Sequence, residues 1–517
     1  MASSQQAIGA WVLIIFYAAL ILFFVIRGAL RTKSISEYAL GSVNFSPWFV
    51  GLSLAAAMTS AATFIINPGL IAAYGLSGFL SFGVFFPVAA LVSLIILTKS
   101  FRKYGANVKA LSLAGWIGNR YKSKGYALFI ALMSLLLLTF IVLILVAISK
   151  VLGQALNVSE TTILLCTVIF VFGYMMFGGA NSMVYTNTIQ ALIMVLVAIV
   201  LIASGYPYLK DGLPAFFERL AAINPDLIKP TNPSSPLFRD FFEIAFAQII
   251  VGVAVVCQPH IITKSLLLKK ESDVNKYLIS AVLIQGLFFL VVFAGFYARL
   301  TFPDMAVNGQ PLGIDGVVSA YVVKVFSQGW VAIAVGLIIV LGLISAGLST
   351  IEGLIQSLST TITSDIFRPV FGRFIQNDER YIIVNRVVIV LIAIAAYFAS
   401  YQQIISPNLS VAIFAQNGVY FFFSIAFVPI VFGIFLKDIR LSSALVGSMT
   451  ALGVYFFTYY LSPWLIISKG VSLGFFDHYF SGKVQNPAIA ASFAIVISVA
   501  VSFLHYLITK SKTIKNK

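Results

Sequence analysis

The sequence predicts an all-α polytopic membrane protein of about thirteen transmembrane helices, arranged as two five-helix halves of opposite topology with flanking helices. Three observations carry this. The chain is 60% hydrophobic and 10% charged over 517 residues, with a mean hydropathy of +1.01, a composition suited to lipid as solvent. Apolar runs near or above the ~20 residues needed to cross a bilayer recur along its whole length. Two of those runs, at corresponding places in the two halves, are interrupted by polar residues or proline.

The first run, 7–26, follows a tail without basic residues and precedes Arg27, Arg31 and Lys33. That is the pattern of a helix inserted N-terminus outward, since a secretory signal has its positive charge ahead of the apolar stretch. Further spans are predicted at 47–73, 76–99, 125–149, 160–178, 186–206, 241–263, 277–300, 329–364, 384–402, 408–436, 441–462 and 486–508. The first five-helix half is then 47–206, the second 241–436, and two flanking helices fill 441–508. An odd number of spans that starts outside ends in the cytosol, which predicts a multi-pass protein of the plasma (inner) membrane.

Charge tests this independently. The loops placed inside, including 99–124, 264–276, 368–386 and the tail 510–517, hold 24 of the 33 Lys and Arg residues. The net charge of +16 is therefore topological and implies no nucleic acid. The proline-rich segment 206–240 reads as an outer connection with one short amphipathic helix around 215–222, and 303–318 as a second outer loop. No soluble domain and no obligate protein partner are expected. Cys166 and Cys257 lie in apolar runs, and His260, His478 and His505 lack metal-ligand spacing, so no cofactor or metal-dependent chemistry is expected.

The polar content at membrane depth is concentrated. In the run from Gly342 to Asp365, Ser345, Ser349, Glu352 and Gln356 share one helical face, with Thr350 beside it. Hydroxyls and a carboxylate cannot face hydrocarbon, so this stripe must meet other helices or a cavity. The second span, Leu54-Ala-Ala-Ala-Met-Thr-Ser-Ala-Ala-Thr-Phe-Ile-Ile-Asn-Pro-Gly69, carries Thr59, Ser60 and Thr63 mid-span, and its backbone is expected to open at Asn67-Pro68-Gly69. In the seventh, Cys257-Gln-Pro-His260 places a proline that frees a carbonyl. Paired interruptions point to a secondary transporter with its sites near the midplane. Sodium needs about five or six oxygen ligands, mostly neutral where the ion is released every cycle. The carbonyls near Ala56 and Thr59, with the Ala346 carbonyl and the Ser349 and Thr350 hydroxyls, could supply them.

These residues resemble the solute:sodium symporters, a family that includes carriers for proline, sugars, sialic acid, pantothenate and monocarboxylates. The likeness rests on Ile344-Ser-Ala-Gly-Leu-Ser-Thr350 and Ser364-Asp-Ile-Phe367, on Gln258-Pro-His-Ile261 with its basic Lys264, on Phe177-Gly-Gly179 and Tyr185-Thr-Asn-Thr-Ile-Gln190, and on Phe101-Arg-Lys103 with Asn119-Arg-Tyr121. The resemblance implies a LeuT-like inverted repeat, sodium at Ala56, Thr59, Ala346, Ser349 and Thr350, and a solute pocket reached by Ser60, Thr63, Gln258 and Pro259. Two departures stand out. Asn187 replaces an Asp common in the family, and Glu352 stands where small or hydroxyl residues are usual. Both are coupling candidates: Glu352 either supplies the charge of a second cation or proton site, or is a protonated group bonded to a helix carbonyl. Val251 and Val255 stand where proline carriers have aromatics, which argues against proline.

No Lys or Arg is placed mid-span, so a carboxylate solute would be held by helix N-termini, hydroxyls and the co-bound ion. Gln416 or Asn417 could add side-chain hydrogen bonds. The expected function is sodium-coupled import of a small organic solute, a monocarboxylate, amino acid or similar, by alternating access in the lipid bilayer. Proton coupling on the same fold and solute sensing without transport are the alternatives. An intramembrane enzyme would need a clustered nucleophile, base or metal set that the sequence does not offer.

Overall fold

A computed structural model describes residues 4–41, 44–108, 110–268, 270–372, 378–406, 410–480 and 484–515. Its membrane-length segments are, in chain order, α1 (Ser4–Ala29), α2 (Pro47–Met58 with Ala62–Tyr74), α3 (Leu76–Lys103), α4 (Lys124–Leu156), α5 (Glu160–Met175), α6 (Ala180–Leu209), α7 (Phe242–Cys257 with Pro259–Leu267), α8 (Glu271–Thr301), α9 (Trp330–Phe371), α10 (Glu379–Ile405), α11 (Val411–Phe435), α12 (Leu441–Lys469) and α13 (Pro487–Ser511). Each answers to one predicted span. Ten are single helices long and apolar enough to cross, α2 and α7 qualify as bent pairs, and α5 is apolar but only 16 residues long. Lys109, Lys269, Arg373 and Lys517, counted among the predicted inner charges, lie outside the described residues.

Burial sorts the helices. In α11, 83% of the apolar window is buried, against 22% in α1, so α11 is interior and α1 peripheral. α2 packs on α6, α8 and α9, α9 packs also on α4 and α6, and α12 and α13 pack on each other and on α11. The interrupted α2 is thereby enclosed by helices, the setting that polar groups at membrane depth require.

The two bent segments open each predicted five-helix half. α2 bends by 57° and α7 by 61°. In α7 the break falls where predicted, at Gln258, which is extended at φ −69° and ψ 138°. The carbonyl released by Pro259 is not left open, because Gln258 takes Val255 O with its own N–H at 3.3 Å and its Nε2 at 3.2 Å. In α2 the expectation fails. The chain opens at Thr59–Ser60 and runs helically through Asn67-Pro68-Gly69. A π turn, Ala62–Ile66, precedes Pro68, and the Asn67 N–H reaches back to Ala62 O. That wider turn accommodates the missing donor and the proline ring without a kink. Thr59 stops the first half with φ −98° and ψ 98°, and Ser60 Oγ accepts the Ala62 N–H at 3.1 Å to start the second.

Pro429 lies inside α11, and the protein compensates it from a neighbour. The Ile425 carbonyl that loses its i+4 donor is bonded by Ser448 Oγ of α12 at 2.9 Å. Two glycines fix the path around α2. Gly75 makes the turn into α3 at φ +64°, and at Gly69 an added Cβ would stand 2.0 Å from Ile314 O. The 303–318 loop therefore rests directly on α2. It holds a short antiparallel pair, Ala306–Val307 with Gln310–Pro311, and leads into a helix, Val317–Val325. The 215–222 helix is present as Gly212–Ile223.

Candidate functional site

The first half of α2 ends at Met58, leaving its last carbonyls without their i+4 partners, although Ala56 O keeps the Thr59 N–H at 3.2 Å. α9 supplies them. Ser349 Oγ donates to Ala56 O at 2.8 Å and Thr350 Oγ1 to Ala57 O at 3.0 Å, while both hydroxyls also approach Ala346 O, at 3.2 and 3.3 Å. All are buried. Three carbonyl and two hydroxyl oxygens from two helices thus converge at a break, a neutral and hard donor set. Of the predicted ligands, Ala56, Ala346, Ser349 and Thr350 are brought together. The expectation for Thr59 concerned its carbonyl; its hydroxyl turns to α8 and donates to Gln285 Oε1 at 2.8 Å. Ala57 stands opposite Thr350 instead. Which carbonyl faces α9 depends on how two helices dock, which no local pattern encodes.

The stripe on α9 is buried throughout, but its members do not share one partner. Ser345 donates to Tyr17 Oη of α1 at 3.1 Å, and Gln356 Nε2 donates to Tyr38 O and Ala39 O at 3.0 and 2.9 Å. Glu352 receives donors rather than a carbonyl: Tyr174 Oη at 2.7 Å and Gln190 Nε2 at 3.0 Å on Oε1, and Thr186 Oγ1 at 2.7 Å on Oε2. The Asn187 amide, in the orientation that satisfies its neighbours, donates to Glu352 Oε2 and to Gln190 Oε1 at 3.0 Å each and accepts from Lys264 Nζ at 3.0 Å. The carboxyl group is thus met by side-chain donors of α5 and α6, where one expectation had it bonded to a helix carbonyl.

Lys264 is a second correction. Placed in an inner loop by the sequence, it lies on the second half of α7 with its ammonium buried, donating to Ser53 O at 2.6 Å. A cation therefore does stand inside the helix bundle. The hydropathy pattern hides it because the chain after Pro259 continues as helix, a turn beyond the predicted end of the span.

Between the breaks lies a cavity of about 90 Å³. Ser60, Thr63 and Asn67 of α2 and Gln258 and His260 of α7 line one part, and Phe82, Phe86, Phe140, Phe289, Gln416, Val419 and Tyr420 much of the rest. Gln258 Oε1 and His260 Nδ1 are buried with no hydrogen-bond partner among the described residues. Such atoms are expensive unless something meets them, and both border this cavity. Of the predicted solute contacts, Ser60, Thr63 and Gln258 line it. Pro259 does not; it faces a small cleft with Thr263 and Gln356. Asn417 does not either, being held by α12, with Nδ2 on Tyr460 Oη at 2.8 Å and Tyr455 Oη on its Oδ1 at 3.1 Å. Its neighbour Gln416, about 100° round the helix, lines the cavity. His260, whose spacing in the sequence bears only on metal binding, also lines the cavity, and its place near Gln258 is the signal for it. A wider cleft of about 760 Å³ lies at the far end of α9, around Asp365, Lys122, Lys124 and Arg368, away from both breaks.

The sequence profile of the sodium:solute symporter family matches residues 38–451. The chain belongs to this family. It is similar to a sodium/pantothenate symporter of Haemophilus influenzae, 26% identical over 434 residues that cover 82% of this chain and 85% of the relative. A sodium/proline symporter of Staphylococcus aureus is 24% identical over 477 residues, 87% of this chain and 86% of its own. Among solved structures, a Na+-coupled sialic acid symporter in a substrate-bound outward-open state superposes with a TM-score of 0.72 at 18% identity, covering 96% of this chain and 98% of that one. That likeness establishes the inverted-repeat fold. Family and relatives together make the protein a multi-span membrane transporter and not an enzyme.

Proposed function

We propose that this chain is a sodium-coupled symporter that imports a small organic solute, a monocarboxylate, amino acid or similar, across the plasma (inner) membrane by alternating access. The observation that carries the reading is the bonding of the Ser349 and Thr350 hydroxyls to Ala56 O and Ala57 O at the opening of α2. These oxygens, with Ala346 O, are the proposed ligands of one sodium ion, and Thr59 contributes through its backbone alone. The solute occupies the cavity beyond the break, in reach of Ser60, Thr63, Gln258, His260 and Gln416. Among the described lining residues there is no Asp, Glu, Lys or Arg, which suits a ligand with a small polar end and an apolar body.

Coupling follows from the shape of α2. An ion between Ala56 and Ser349 fixes the first half of α2 to α9, while the second half lines the solute cavity. Ion binding therefore biases the conformation that the solute selects, and the solute must tighten ion binding by the same factor. With the N-terminus outside and the C-terminus cytosolic, as the distribution of basic residues supports, the ion gradient drives import.

The test needs no known solute. The melting temperature of the full chain in detergent is measured in sodium and in potassium chloride at equal ionic strength, for the wild type and Ser349→Ala. The expected outcome is a sodium-specific rise, about 2.7 kcal/mol when sodium is one hundred times its Kd, that Ser349→Ala abolishes. Equal melting in the two salts would overturn the proposal.

A further inference from the structure

We propose that the Lys264 ammonium is a tethered cation occupying an oxygen-lined position beside the Ser349–Thr350 cluster, so that Glu352 and Asn187 hold chain-borne charge and a single free sodium ion serves each cycle. The inference rests on the sodium-coupled reading for its consequence, but its geometry stands apart from it. Nζ of Lys264 is bonded to Ser53 O at 2.6 Å and to Asn187 Oδ1 at 3.0 Å. The same Asn187 amide passes the contact on to Glu352 Oε2 at 3.0 Å, so cation and carboxylate are linked through one neutral side chain.

The donor set around that ammonium is the kind that holds an alkali cation: a helix carbonyl, an amide oxygen, and a carboxylate behind it for charge balance. Its position ties it to the neutral cluster on both sides. Ser53 lies one turn before Ala56 and Ala57 on α2, and Glu352 lies two residues after Thr350 on α9. Lys264 itself rides on the second half of α7, the element that also presents Gln258 and His260 to the cavity. An ion from solution in this place would have to enter and leave in every cycle. An amine on a four-carbon stem stays with α7 and fills the position without entering or leaving. With Lys264 Nζ on Ser53 O and Asn187 Oδ1, the oxygen-lined position beside Glu352 is already filled, leaving no place there for a second free ion.

Equilibrium binding of radioactive sodium to the full chain in detergent, with Hill analysis, tests this in the wild type, Lys264→Met, Lys264→Arg, Glu352→Gln and Lys264→Met/Glu352→Gln. One ion per chain and a Hill coefficient of about 1 are expected for the wild type and for Lys264→Arg. Lys264→Met leaves Glu352 without its partner and should bind one ion more, with a coefficient rising toward about 2, and the double variant should return to about 1. Two ions on the wild type, one of them lost in Glu352→Gln, would overturn the proposal, as would a Lys264→Met protein that binds sodium as the wild type does. If Lys264→Met does not fold, wild-type stoichiometry still decides. A wild type that binds no sodium would refute the sodium-coupled reading instead, and a first ion gained by Lys264→Met would still support the tethered cation.

Discussion

Two polar clusters sit less than one helical turn apart on α9 and solve the problem of burial in opposite ways. Around Ser349 and Thr350 every oxygen is neutral, and the hydroxyls satisfy carbonyls that a helix break has released. Around Glu352 a carboxyl group is met by four donors and linked through Asn187 to the amine of Lys264 on another helix. The first arrangement is cheap to open, because neutral hydrogen bonds contribute about 1 kcal/mol each net. The second is costly to open, because either charge alone would be stranded. A site that must empty in every cycle belongs with the first kind, and a permanent joint with the second.

The comparison can be broken most forcefully at Lys264. In potassium chloride, Lys264→Met should cost about 3–5 kcal/mol of stability by leaving Glu352 uncompensated, and adding Glu352→Gln should restore most of that loss. Denaturation of the purified chain measures both, and a double variant no more stable than the single one would separate the two residues. Next in size, Thr350→Val should remove up to about 2.7 kcal/mol of sodium-dependent stabilisation while costing only about 1 kcal/mol in potassium, read as melting in the two salts.

At the solute cavity, Gln258→Ala should weaken solute binding roughly tenfold, about 1.4 kcal/mol, once a transported solute is in hand. Asn417→Ala should leave that affinity within about twofold, since its amide is held by Tyr455 and Tyr460. Isothermal titration of both variants checks the pair, and equal losses would return Asn417 to the cavity. The smallest effect sharpens the boundary of the neutral cluster. Thr59→Val should cost about 1 kcal/mol equally in both salts, because it loses only the bond to Gln285. A sodium-specific loss would place the Thr59 hydroxyl among the ion's ligands.

Much of this was legible in the chain. Hydroxyls and a carboxylate inside an apolar run announce an enclosed polar surface, whatever encloses it, and so Ser349, Thr350 and Glu352 could be named from spacing alone. The break at Pro259 could be named because proline acts on its own helix. Pro68 looked the same in sequence and breaks nothing, since a π turn just ahead of it changes the register of hydrogen bonds. Gln416 and Asn417 were equal candidates in the sequence, and a single step round the helix decided which of them meets the cavity.

The sequence by itself determined the solvent, the thirteen apolar segments, and which stretches carry oxygen at membrane depth. Those properties depend on composition and periodicity along one helix at a time. Tertiary structure alone decided that α2 opens at Thr59, that the Ala57 carbonyl meets Thr350, and that Lys264 is an interior partner of Asn187, which bonds Glu352 in turn. Each of these is a contact between helices far apart in the chain. Burial of a polar group is settled by the partner that docking brings to it, and that partner is written nowhere near it in sequence.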